Sequence, residues 1–274
     1  MYLQLPADDI METLNSLKRQ EESCYCTRNG LYDDPSKVID GKCRELMVNW
    51  CYRIADHCHY SHNTISIAIN NLDRLIETAP QILDSKRKFQ LATMTCLYNA
   101  VKTHEPIAIG PTAMARLSKG SFTAEDFETF ESILLTKLKW RITAPTAAVF
   151  SQLLLQLIPL DHVLVQKATK LVQYQIDHVT KKADYLGVSA CDLAYRVTMN
   201  AILIVHPGAE HIATEAIGQY STTFMSEQQT SELLVLMNNQ KKQGFLSICP
   251  SLASLPSSTS QNSIHSSPRT VTLR

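Results

Sequence analysis

Amphipathic helical periodicity runs almost unbroken along this chain of 274 residues, and that pattern restricts it to an all-α fold. Almost no segment alternates apolar and polar with period two, as a half-buried strand would. Glycine, the residue helices tolerate worst after proline, occurs only 8 times. Asp8 to Glu22 forms a short leading helix with Asp8, Asp9 and Glu12 in its first turn, followed by a polar connector. From Gly41 to Cys58 the apolar positions 43, 46, 47, 50, 54 and 58 share one helical face. Asn63 is placed to cap the next helix, striped by Ile65, Ala68, Ile69, Leu72 and Leu75. Ser85 to Lys102 is apolar on more than one side, the signature of a helix in the middle of a bundle. Pro106, Gly110 and Pro111 then break the chain before a short helix over 112–117. Thr123-Ala-Glu-Asp126 is a capping-box start for a fifth helix, with Phe127, Phe130, Leu134 and Leu138 on its buried side.

Thr143-Ala144-Pro145 punctuates the chain, and a second set of helices begins. Phe150, Leu153, Leu154 and Leu157 mark the first of them, Asp161 caps the second, and Ser189 and Ser226 open later ones. The expected architecture is two tandem five-helix bundles after a short N-terminal helix. Its divisions fall at 1–40 for helix and connector, 41–144 and 145–246 for the bundles, and 247–274 for a tail. Those last 28 residues hold nine serines, no aromatic and no acid, and are expected to be disordered.

Composition removes several classes of function. With 26 basic against 26 acidic residues the chain carries no overall electrostatic footprint for nucleic acid or anionic lipid. No stretch reaches the ~20 apolar residues that span a bilayer. The N-terminus lacks a signal-peptide pattern, so the chain is expected to stay inside the cell. Cys43, Cys51, Cys58 and Cys96 fall on apolar helix faces, where a thiol behaves as a small hydrophobe. The ligand-dense run from Asp56 to His62 lacks a second pair at zinc-finger spacing and sits where a helix ends, so it reads as structural. No metal motif, phosphate loop or nucleophile signature is present, and neither an enzyme nor a cofactor is expected.

Five residues then stand in order, one in each expected place: Arg44 in CRELMVNW (43–50), Asp73 in NNLDRLIE (70–77), Leu91 and Lys102 in KFQLATMTCLYNAVK (88–102), and Glu131 in FESILLTKLKW (130–140). This constellation resembles a cyclin box, and KLKW (137–140) is similar to the D-type cyclins in particular. The resemblance implies paired five-helix bundles and a regulatory subunit that binds and activates a cyclin-dependent protein kinase, in the nucleus and cytoplasm. It implies a structural ion pair between Arg44 and Asp73 and places Leu91 in the core of the middle helix. Lys102 and Glu131 would be the principal kinase contact, with Phe130, Leu134, Leu135 and Trp140 as apolar contacts beside them. The second half resembles the family in helix pattern only.

The resemblance also implies a groove for Arg-x-Leu motifs of kinase substrates or inhibitors, lined here by Cys43, Leu46, Met47, Trp50, Phe89 and Gln90. Two positions depart from the family pattern. Arg53 stands where an acid is usual and would repel an incoming arginine, and Asn49 replaces an Asp. Docking is therefore expected to be weakened or altered. Thr103-His104-Glu105-Pro106 stands where the family has an aromatic and two acids, which alters the expected kinase footprint. Arg28 to Leu31 fits a minimal degradation signal, and Ser267-Pro268 a proline-directed phosphorylation site. The rival readings are a cyclin-fold transcription regulator, a transcription-kinase cyclin and a non-activating adaptor. The first of these would bring a basic surface and CxxC pairs that this sequence lacks.

Overall fold

The structure is a computed structural model that describes residues 6–220 and 225–242, apart from the side chains of 237, 238 and 240–242. Among the described residues all regular structure is helical. Helix α1 (Ala7–Cys24) leads, and the first bundle follows with α2 (Gly41–Cys58), α3 (His62–Thr78), α4 (Lys86–His104), α5 (Pro111–Leu117) and α6 (Ala124–Lys137). The second comprises α7 (Ala147–Leu157), α8 (His162–Lys181), α9 (Ala190–Val205), α10 (Glu210–Ile217) and α11 (Glu227–Lys242). The serine-rich tail and Ser267 lie outside the described residues. No helix among the described residues is long and apolar enough to cross a membrane.

Side-chain caps set most of these helix starts. Asp40, Ser85, Asp161 and Ser189 each accept a hydrogen bond from a backbone N–H in the first turn of the helix they open. Thr123 and Asp126 form a reciprocal capping box on α6, and Ser226 and Gln229 do the same for α11. One cap differs from expectation. Ser61, not Asn63, opens α3, which frees the Asn63 side chain to bond Thr146 at the start of the second bundle.

Helix α4 is the axis of the first bundle, buried on every side from Ala92 to Val101. Around it gather Val48, Ile65, Leu72, Leu75 and Leu138. The second core is built on Phe150, Leu154, Leu171, Val197 and Ile202 from α7, α8 and α9. Helix α1 belongs to that second core, because Ile10 and Leu14 are buried within it. The leading helix thus reaches past the first bundle to cover the second. The connector after it is pinned in turn: Gly187, at φ +81°, leaves no room for a Cβ against the Asn29 side chain.

Helix α2 turns a different face inward from the one its apolar stripe suggests. Arg44, Val48, Cys51, Tyr52 and Ala55 are buried, whereas Cys43, Met47, Trp50, Ile54 and Cys58 are half-buried and Leu46 is exposed. The stripe read from the sequence is the helix's outer margin.

Candidate partner-binding site

Lys102, in the last turn of α4, reaches across to Glu131 in the middle of α6, with Nζ 3.1 Å from Oε2 and 3.3 Å from Oε1. The two side chains are unequal. Lys102 is 50% exposed and Glu131 only 12%. Glu131 is further fixed by Asn99, one turn before Lys102, whose Nδ2 donates to Oε1 at 3.0 Å. The ammonium also lies 5.4 Å from the Tyr98 ring centroid. The hydrogen bond to Glu131 raises the Lys102 pKa, so the cation is held. The result is a solvent-facing ion pair whose acidic half is immobilised from behind. The buried Oδ1 of Asn99 has no partner of its own.

The neighbouring apolar residues divide. Leu134 is buried in the core of the first bundle and cannot touch another molecule, which corrects its expected role as a contact. It falls in one stripe with Phe127 and Leu138, the face α6 turns inward. Leu135, four residues after Glu131, lies half-buried on the same margin of α6 as that carboxylate. Phe130 is also half-buried, but by helical geometry it sits across the inward stripe from Glu131. Trp140 is 72% exposed, in a turn where Lys139 and Trp140 both take left-handed conformations (φ 51° and 60°). Such a conformation costs about 1–2 kcal/mol per non-glycine residue. The turn is closed by the Trp140 N–H bonding the Leu135 carbonyl at 2.9 Å. Ile133, 45% exposed on α6, was missed by the sequence reading. So was Asn99, although an Asn inside an apolar helical run signals a buried polar group in need of a partner.

The Arg44–Asp73 pair is a buried fork: Nη2 to Oδ2 is 2.7 Å and Nε to Oδ1 is 3.0 Å. Tyr32 from the connector donates to the same carboxylate at 2.8 Å. Arg44 also donates from Nη1 to the Thr180 carbonyl of α8 at 2.9 Å, tying the two bundles together. Leu91 lies half-buried against Met94 and Tyr98 at the core's margin, not inside it as expected.

On the outer margin of α2, Cys43, Met47 and Trp50 are half-buried around Leu46, and Gln90 is half-buried on α4. Arg53 is exposed on the same helix and Asn49 is half-buried. Phe89 is the exception. It is buried in the core with its ring edge-on to Tyr32, and its place in an open groove is withdrawn. Arg28 is exposed with its backbone N–H bonded to Glu77, while Leu31 is partly buried against the first core. No three His, Cys, Asp or Glu side chains converge as a metal-binding group among the described residues.

The sequence model described as the cyclin N-terminal domain matches residues 12–143, a span that holds all five marker residues. Residues 12–143 of this chain are a cyclin N-terminal domain. The chain is 30% identical to rat cyclin-G1 over 161 residues, covering 54% of this chain and 52% of that protein. It is 25% identical to mouse G1/S-specific cyclin-D1 over 146 residues, covering 53% of this chain and 48% of the relative. With a G2/mitotic-specific cyclin of Medicago sativa it shares 24% over 172 residues, covering 63% of this chain and 39% of that one. The chain therefore spans about half or less of the length of these curated relatives. Its fold matches the crystal structure of a viral cyclin from herpesvirus saimiri with a TM-score of 0.66 at 15% identity. That match covers 84% of this chain and 96% of the viral one, so the likeness in fold takes in both bundles.

Proposed function

We propose that this chain is a cyclin, the non-catalytic regulatory subunit of a cyclin-dependent protein kinase, which it binds and activates in cell-cycle control. The observation that carries the reading is the Lys102–Glu131 pair, open to solvent at the ammonium and braced at the carboxylate by Asn99. A fixed donor and acceptor at the rim of an apolar surface set the register of a partner, and the apolar residues supply affinity. Leu135 and Trp140 supply that surface, with Phe130 at its far edge. A stable contact of this kind buries on the order of 1,200 Å² or more in total. Activation follows if this surface binds the kinase's active arrangement more tightly than its inactive one, since only a difference in affinity shifts a conformational equilibrium. Such a subunit works in the nucleus and cytoplasm. Substrates or inhibitors dock at the Leu46, Met47 and Trp50 margin with Arg53 altering their selection.

The experiment compares wild type with Lys102→Ala/Glu131→Ala in pull-down from cell extract, followed by a kinase assay on the captured material. The wild type should retain a cyclin-dependent kinase and its activity, and the double variant should lose both. Full binding and activation by the variant would overturn the assignment. Capture of a kinase without activity would replace the activator with a non-activating adaptor.

A further inference from the structure

Below the turn that carries Trp140 lies a cavity of about 210 Å³ whose wall includes four cations, Arg74, Lys137, Lys139 and Arg141, beside Cys24, whose Sγ accepts a hydrogen bond from one arm of the Arg141 guanidinium at 2.7 Å. The only acid on that wall is Glu77, one of whose oxygens accepts the Arg28 backbone N–H. None of the described ion pairs involves any of the four cations. A helix C-terminus alone attracts cations, and Lys137 ends α6 while Lys139 and Arg141 follow it. That explanation falls short here, because the carbonyls of Leu134, Leu135, Thr136 and Leu138 are already taken by backbone N–H groups of the turn. It also leaves out Arg74, which comes from α3 and is 7% exposed. Its guanidinium lies 4.6 Å from the Tyr25 ring centroid and donates to the Arg141 carbonyl at 2.7 Å and weakly to Asn71. A buried guanidinium is normally matched by a carboxylate. Burial pulls the Arg74 pKa below its ordinary value against the opposing pull of Tyr25, Cys24 and Glu77, and the neighbouring Arg141 charge adds a smaller lowering.

We infer that this cavity is an anion site that takes a phosphoryl group borne by a serine or threonine of the bound protein partner. The planar forks of Arg74 and Arg141 suit tetrahedral oxyanions, and Lys137 and Lys139 add charge at the mouth. A doubly charged phosphate meets this excess of positive charge better than a single carboxylate does. The choice of a partner's phosphate over a free one rests on the reading of the Lys102–Glu131 face as the partner surface. Lys139 and Arg141 flank the exposed Trp140 directly, so a segment leaving that face along α6 passes the cavity mouth.

The full chain is titrated with a short phosphoserine peptide, the same peptide unphosphorylated, and inorganic phosphate. The phosphopeptide should bind at least about tenfold more tightly than its unphosphorylated form, and inorganic phosphate should compete with it. Lys139→Glu/Arg141→Glu, both exposed, should abolish that difference without moving the melting temperature. Equal binding of the two peptides, or an unaffected double variant, would overturn the site. Inorganic phosphate binding while the phosphopeptide is refused would overturn its assignment to a partner's side chain. Because Lys102→Ala/Glu131→Ala leaves the cavity intact, that variant should keep the phosphopeptide, so a failed kinase contact and a failed phosphate site give different results.

Discussion

Arg44 distributes its donors over both bundles: a fork to Asp73 within the first and one bond to the Thr180 carbonyl of the second. Burial pulls its pKa down, and the Asp73 charge more than reverses the effect. A buried pair of this kind contributes little net stability while intact. Its removal is another matter, because Asp73→Ala strands a guanidinium under the connector and leaves Tyr32 without its acceptor. That variant should lose about 3–5 kcal/mol in chemical denaturation, and replacement of both Arg44 and Asp73 by apolar residues should recover part of it. A loss below about 1 kcal/mol would mean that solvent reaches the pair. Arg44, Asp73, Lys102 and Glu131 were all legible in the sequence because each has a fixed offset in its helix. Tyr32 was not, since nothing in a connector's local pattern tells which buried carboxylate its hydroxyl will meet. Thr180, a backbone acceptor more than a hundred residues from Arg44, leaves no sequence trace at all.

Among the elements, helix starts were readable and helix faces less so. Asp161, Ser189, Thr123 and Ser226 open their helices as expected, because a cap depends on only three or four neighbouring residues. The inward face of α2 was misjudged because periodicity reports where apolar residues gather, whereas burial depends on what lies opposite. The face it buries carries Arg44 and Tyr52, polar residues that are tolerated there once the rest of the fold partners or encloses them. In α6 the same ambiguity placed Leu134 beside Leu135 as a contact, although one faces the core and the other the margin. The difference is measurable. Leu134→Ala should cost about 2–5 kcal/mol of stability with no specific effect on partner affinity beyond unfolding. Trp140→Ala should stay within about 0.5 kcal/mol of wild type in stability and weaken kinase capture. If Trp140→Ala bound its partner normally, the exposed indole would have no part in that contact, and its strained turn would need another explanation.

At the scale of the whole molecule, one titratable contact holds α1 to the second bundle, another joins the two bundles, and both respond to pH in the same direction. Glu21, near the end of α1, accepts hydrogen bonds from the Ala190 and Cys191 N–H groups at the start of α9. Burial pushes its pKa up to about 7 against the pull of those N–H groups, with Asp192 and Glu22 adding to the rise. His62, opening α3, is bonded to Asp177 of α8 at 2.7 Å and to Asp56 of α2 at 2.9 Å. Burial pulls His62 down, and the two carboxylates more than reverse it, so its pKa is raised. Both groups hold their proton more tightly folded than unfolded. Each therefore adds stability that is complete below its unfolded pKa and is lost as pH climbs through the folded one. For Glu21 the window runs from about 4.5 to about 7 and corresponds to on the order of 3 kcal/mol. The His62 contribution fades above the ordinary imidazole range. The melting temperature should fall from about pH 4.5, most of it by about pH 7, and Glu21→Gln, which cannot ionise, should flatten most of that slope and melt above wild type at the alkaline end. His62→Asn should melt below wild type at the acid end and approach it at the alkaline end. A gap between wild type and either variant that stayed constant across this range would show that the group does not titrate where the fold places it.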